Sequence, residues 1–148
     1  MAEALRIRPA QPQDLEAVAA LARDCFGASA WSRAQWQAIP PLRLLLAETP
    51  AHACAGYVVL QWAADQAELE SLAVRPAFRR QGVGQALLAA GLAAARAAGV
   101  RQVFLELRES NAAALAFYQR HGFRSTGRRP GYYHSPPEAA LLLQAELG

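Results

Sequence analysis

The chain has 148 residues, 53% hydrophobic and 18% charged, a length and balance suited to one soluble domain with a substantial core. Its net charge is +3 and all 15 basic residues are arginine, but these are spread along the chain without a dense run or interleaved aromatics, which argues against direct nucleic-acid binding. No apolar run reaches the ~18 residues that cross a bilayer, and the first eight residues lack the apolar core of a signal peptide, so a cytoplasmic protein without a membrane partner is expected.

In chain order, Leu5-Arg6-Ile7-Arg8 alternates as a short strand, and Pro9 to Asp14 forms a turn. Leu15 to Arg23 carries apolar residues at 15, 18, 21 and 22, a helical stripe. Ser32-x-x-Gln35 has the form of a capping box for a short helix that ends before Pro40-Pro41. Leu42 to Glu48 and Cys54 to Trp62 read as strands joined across Thr49-Pro50, and Ala64-Asp65-Gln66 turns into a strand over Ala67 to Val74. An alanine- and leucine-rich helix over Val83 to Ala98 stops at Gly99. Val103 to Leu107 is a strand, Asn111 caps a helix over Ala112 to Arg120, and Gly122 ends it. Phe123 to Gly127 and Ala140 to Glu146 are the last strands. The order β-α-α-β-β-β-α-β-α-β-β predicts an α/β fold, a single domain over 1–148 with a mixed sheet and helices on both faces. Cys25 and Cys54 lack metal-ligand spacing and His52, His121 and His134 are scattered, so two reduced thiols and no resident metal are expected.

The segment Arg79-Arg80-Gln81-Gly82-Val83-Gly84 lies between a strand and a helix start. The first backbone N–H groups of a helix lack internal acceptors, and the helix dipole adds positive charge there. Glycines allow close backbone approach to an anion, and arginine forks match phosphate oxygens. The chain has no lysine, so this is not a Walker A loop, and no third glycine completes a Rossmann fingerprint. The alternative is an ordinary βα turn kept tight by glycines.

Three blocks extend this: Leu72-Ala73-Val74-Arg75-Pro76-Ala77-Phe78-Arg79-Arg80-Gln81-Gly82-Val83-Gly84-Gln85-Ala86-Leu87-Leu88, Leu105-Glu106-Leu107-Arg108-Glu109-Ser110-Asn111-Ala112-Ala113-Ala114, and Ala116-Phe117-Tyr118-Gln119-Arg120-His121-Gly122-Phe123. In order and spacing they resemble the GNAT family of acetyl-CoA-dependent N-acetyltransferases, in particular the RimI-type enzymes that acetylate protein N-termini. The match covers about half the chain; the N-terminal half is similar mainly in element order and in Ala30-Trp31-Ser32. The resemblance implies a GNAT fold around a mixed, mostly antiparallel sheet, with acetyl-CoA as co-substrate. Backbone groups on the Leu72-Ala73-Val74 strand would pair with the pantetheine arm, and one of its N–H groups could stabilise the thioester oxyanion. Arg79, Arg80, Gln81, Gly82, Val83, Gly84 and Gln85 would surround the pyrophosphate, chiefly through backbone N–H groups. Asn111 would contact the cofactor near its thioester end, and capping the following helix explains it equally.

Amine attack on a thioester requires a base, and the leaving thiolate benefits from a proton. The resemblance assigns Glu106 as base and Tyr118 as acid. The alternatives are a solvated strand carboxylate and an aromatic that packs helix on sheet. Glu70, on the same strand face as Glu68, is the rival base or a group that attracts a cationic acceptor. Trp31 and the pair Tyr132-Tyr133 match aromatic loops flanking the acceptor groove, or else cover a core edge. The chain departs from the RimI-like pattern after the tyrosines. Its loop is short, His134-Ser135-Pro136-Pro137, and Ala139 stands where an aspartate is usual, which puts peptide preference in doubt. The function implied is transfer of acetyl to the α-amino group of a protein or peptide, such as a ribosomal protein. The alternatives are a lysine or small-molecule amine as acceptor, or a non-catalytic acyl-CoA-binding module.

Overall fold

The computed structural model describes residues 4–40 and 42–148. The first three residues and Pro41 lie outside them, and with them the start of the expected N-terminal segment and half of the Pro40-Pro41 stop. The elements are β1 (Arg6–Pro9), α1 (Leu15–Phe26), α2 (Arg33–Gln37), β2 (Leu44–Thr49), β3 (His52–Ala63), β4 (Gln66–Val74), α3 (Val83–Ala97), β5 (Gln102–Arg108), α4 (Ala112–Arg120), β6 (Arg124–His134) and β7 (Pro137–Glu146). This is the predicted order. The strands follow one another as β1-β2-β3-β4-β5-β7-β6. β4 and β5 run parallel, joined through α3 as a parallel pair requires. The pairs β1–β2, β2–β3, β5–β7 and β6–β7 are antiparallel, so the sheet is mixed and mostly antiparallel.

Contacts cluster into two compact units. The first holds the described residues up to Leu60 together with Ser71–Ala95. Its sheet is covered on both faces because side chains alternate along β3. Tyr57 and Val59 join Leu44 and Leu46 in a core with Val18, Leu21 and Ala22 of α1 and Trp36 of α2. The even-numbered residues meet α3: a Cβ on Gly56 would lie 3.0 Å from Leu87 Cδ1, and one on Gly91 would lie 2.6 Å from Leu60 Cδ1. Ser32 caps α2 as predicted, its hydroxyl accepting from the Gln35 N–H at 3.3 Å while Gln35 returns to the Ser32 N–H at 2.7 Å. α1 runs past Arg23 to Phe26 because the residue able to end it is Gly27, at φ +57°.

The second unit holds Gln61–Glu70 and Arg96–Gly148. On β5, Val103, Leu105 and Leu107 are buried and alternate with half-buried Phe104, Glu106 and Arg108. Antiparallel pairing sets Leu105 opposite Leu143, Glu106 opposite Leu142, and Arg108 opposite Ala140. One expectation is corrected here. β6 does not end at Gly127 but reaches His134, so Tyr132 and Tyr133 stand on a strand rather than in a loop. Gly127, Pro130 and Gly131 each oppose strand structure locally. β6 is an edge strand, where a missing N–H costs no ladder bond, and irregular pairing between Arg129 and Tyr133 absorbs them.

Candidate functional site

In the first unit, Leu72, Ala73 and Val74 close β4, and Arg79 to Gly82 form the turn into α3. Among the described pairs, the β4–β5 ladder covers only Gln66–Glu68, so Leu72 to Val74 lie beyond it. The turn carries two left-handed residues, Arg80 at φ +63° and Gly82 at φ +82°. Such a conformation costs a non-glycine residue about 1–2 kcal/mol. A Cβ on Gly82 would meet nothing within 4 Å, so the space above it is open. The Ala86 N–H donates to the Gly82 carbonyl at 3.0 Å. The N–H groups of Val83, Gly84 and Gln85 precede that bond and have no acceptor within the helix. Backbone donors at the start of a fifteen-residue helix are suited to cradle an anion.

The side chains around the cradle mostly brace it. Arg79 Nε donates to the Val74 carbonyl at 3.1 Å, and its Nη2 lies 3.6 Å from Cys25 Sγ. Gln81 donates to the Ala77 carbonyl at 2.9 Å. Arg80 is exposed. Trp31, half-buried, packs on the buried Trp36 ring with centroids 4.7 Å apart.

The second unit gathers Glu68, Glu70, Glu106, Tyr132 and Tyr133. Partial burial, then the charges of Glu70 and Glu106, hold the Glu68 proton on more firmly than in an ordinary carboxylate. Glu70 accepts from Gln61 at 2.6 Å. The nearby Glu106 carboxylate is the largest influence on the Tyr132 phenol and raises its pKa. Arg129 Nη1 lies 3.9 Å from Glu106 Oε1, and its Cζ lies 5.3 Å from the Tyr132 ring. Glu106 keeps 26% of its side chain exposed, accessible to an acceptor or to water.

Tyr118 sits on α4, 8% exposed, between Phe117 and Phe123 at ring distances of 5.2 and 5.4 Å. Burial pushes its phenol pKa up. A phenol of that kind holds its proton at neutral pH and can donate it, but is unsuited to act as a base. Its hydroxyl makes no hydrogen bond among the described residues. No hydrogen bond or ring contact joins it to Glu106 among them either. Asn111 caps α4 as predicted, accepting from the Ala114 N–H at 3.1 Å.

Two polar residues of this region were not singled out in the sequence. Arg108 donates to the carbonyls of Pro136 and Ser135 at 2.9 and 3.3 Å and to Glu138 at 3.2 Å. Glu138 also accepts the Ser110 N–H at 2.5 Å, and its Ser110 and Arg108 partners lower its pKa. The available signal was strand periodicity, which puts Arg108 on the face of Glu106. Ala139, at the departure noted above, is 5% exposed, and its carbonyl accepts the Glu109 N–H at 3.0 Å.

No helix among the described residues is long and apolar enough to cross a membrane. Comparison with known proteins points the same way as the residues. The chain is 40% identical over 79 residues to the [ribosomal protein bS18]-alanine N-acetyltransferase of Escherichia coli K12, covering 53% of each protein, so it spans about half the length of the curated relatives it matches. The crystal structure of the ribosomal-protein-S18-alanine N-acetyltransferase from Escherichia coli superposes with a TM-score of 0.87 at 28% identity, over 98% of this chain and 95% of that one. Ard1 from Thermoplasma volcanium superposes with a TM-score of 0.87 at 26% identity, over 97% of this chain and 98% of that one. The model of the acetyltransferase (GNAT) family matches residues 15–123. With its strand–turn–helix cradle, its mixed seven-stranded sheet and this match across most of its length, the chain belongs to the acetyltransferase (GNAT) family.

Proposed function

We propose that this protein transfers the acetyl group of acetyl-CoA to the α-amino group of a peptide or protein N-terminus, by direct transfer in a ternary complex. The observation that carries the reading is the cradle at Arg80–Gln85, where left-handed backbone, open space over Gly82 and three N–H groups without an acceptor inside the helix fit a pyrophosphate. Leu72 and Val74, beyond the β4–β5 ladder, offer backbone groups to the pantetheine arm. Asn111 both caps α4 and reaches the thioester end. Arg79 serves by bracing the turn, while Arg80 adds positive charge near the phosphates.

A protonated amine has no lone pair with which to attack. Glu106 takes a proton from it, directly or through water, and the freed nitrogen adds to the thioester carbon. When the tetrahedral intermediate collapses, the nitrogen gives its second proton to solvent and the carbon–sulfur bond breaks. Tyr118 gives its proton to the departing sulfur and regains one from solvent. Trp31, Tyr132 and Tyr133 contribute aromatic surface for the acceptor, and Glu70 adds negative charge that attracts its ammonium group. The similarity to bS18-alanine N-acetyltransferases supports a ribosomal-protein terminus as acceptor and a cytoplasmic setting.

A second reading has its own observation. Glu68, Glu70 and Glu106 share one stretch of sheet, and their mutual repulsion is felt at Glu68. A side-chain lysine or a polyamine would relieve it. The test follows thiol release from acetyl-CoA against peptides with different first residues, an N-terminally blocked peptide with one internal lysine, and polyamines. Activity that disappears on blocking supports the first reading. Activity confined to the lysine or polyamine members supports the second, and tight acetyl-CoA binding without any transfer refutes both. In the active arm, Glu106→Gln lowers kcat by on the order of 10²-fold or more, with acetyl-CoA affinity kept.

A further inference from the structure

We propose that Arg108 is a positioning residue for the acceptor, acting through the β6–β7 hairpin to hold Tyr132 against Glu106. This rests on the reading of Glu106 as the base. The backbone around Tyr132 does not hold itself. The β6–β7 register passes from Arg129↔Ala140 directly to Tyr133↔Glu138, with an irregularity between. Pro130 has no N–H to pair, and Gly131 stands at φ +65°. Tyr132 thus lies in the stretch where the ladder is interrupted, and 39% of it is exposed. Side chains must set where its hydroxyl points.

Arg108 supplies the anchor. It stands two residues after Glu106 on the same face of β5. Its guanidinium bridges the carbonyls of Ser135 and Pro136 at the hairpin turn and the Glu138 carboxylate at the start of β7, and its Cζ lies 4.3 Å from the centre of the Tyr133 ring. Glu138 extends the tie to the Ser110 N–H. Tyr133 meets Tyr132 edge to face, with centroids 5.1 Å apart and planes at 88°. Arg129 stands by both Tyr132 and Glu106, its Cζ 5.3 Å from the centre of the Tyr132 ring and its Nη1 3.9 Å from Glu106 Oε1, and the Glu106 carboxylate is the foremost influence on the Tyr132 phenol. The chain of contacts runs Arg108 to Tyr133 to Tyr132 and on to Glu106. Only a planar fork can bridge two carbonyls and a carboxylate while stacking on a ring; lysine carries the charge without that geometry.

A mere hairpin clasp and a positioning residue are separated by a double-mutant cycle. The full chain is assayed for thiol release with a free-N-terminus peptide beginning with alanine, as wild type, R108Q, R108K, Y132F, R108Q/Y132F and E106Q. R108Q is expected to raise the acceptor KM about tenfold and leave the acetyl-CoA KM within about twofold, with R108K intermediate. On the Y132F background the same change should add less than about twofold, because the link it acts through is already broken. An equal effect of R108Q on both backgrounds, an equal rise in both KM values, or an unchanged acceptor KM overturns the proposal. If R108Q does not fold, R108K and R108K/Y132F complete the same cycle. Loss of turnover in E106Q beside an additive cycle sinks the role of Arg108 alone. Wild-type turnover in E106Q sinks the reading of Glu106 and this proposal with it.

Discussion

Replacing Tyr118 by phenylalanine separates chemistry from packing. The ring contacts with Phe117 and Phe123, at 5.2 and 5.4 Å, survive the change. The hydroxyl has no hydrogen-bond partner among the described residues, so its removal orphans none of them. Deleting an unpaired hydroxyl from a site only 8% exposed therefore changes stability by less than about 1 kcal/mol. For a chain of 148 residues that is a shift in Tm within about 3 °C, in either direction. Turnover is another matter. Burial keeps the phenol protonated at neutral pH, so what the variant loses is the proposed proton donor. General acid–base groups contribute ~10²–10⁴-fold, and a thiolate leaves well on its own, so a loss of about 10²-fold is expected. Thermal melting and thiol release on the same preparation provide the check. Wild-type turnover would refute the donor role. A fall in Tm beyond about 5 °C in step with the activity loss would show Tyr118 to be a packing residue instead.

Three further outcomes follow from the geometry. Gly56→Ala would set a Cβ 2.7 Å from the Ala73 carbonyl, a backbone atom of the strand proposed to meet pantetheine; stability should fall by about 1–3 kcal/mol in chemical denaturation and the acetyl-CoA KM should rise, and an unchanged denaturation midpoint would contradict this. Gly91→Ala would press on the tip of Leu60 at 2.6 Å, with Val58 Cγ1 at an ordinary 3.4 Å, and gains about 1 kcal/mol of helix propensity, so its midpoint should stay within about 1 kcal/mol of wild type; a loss above about 2 kcal/mol would show that Leu60 cannot give way. Burial, the largest influence on Cys54, pushes its thiol from 9.0 up to about 11. A folded pKa above the unfolded one means that this contribution is full below pH 9.0 and is lost as pH rises through about 11. At about 1.4 kcal/mol per unit the loss is roughly 2–3 kcal/mol. Denaturation midpoints of wild type and Cys54→Ala across that window should converge, and parallel alkaline slopes would refute the assignment.

Local chemistry decided much of what could be read before the structure. The Ser32 and Asn111 caps, the glycine stops, the period-two pattern of β5 and the turn before α3 are all set by neighbours within a few residues, and each lies where it was expected. The element order followed from these signals, and the family followed from three short blocks. What the sequence hid depends on pairing across distance. β6 was expected to end at Gly127; Gly127, Pro130 and Gly131 oppose strand structure locally, but seven register pairs with β7 outweigh them at a sheet edge. Arg79 looked like a free phosphate ligand until the fold brought the Val74 carbonyl and Cys25 Sγ to it, the latter 54 positions away. Arg108 finds its carboxylate 30 residues on, and Arg129 of β6 comes within 3.9 Å of Glu106 on β5 through the strand order β5-β7-β6. Propensities and caps act over one turn or one strand. Ion pairs, register and strand order exist only once the chain has closed on itself, and there the tertiary structure alone decides.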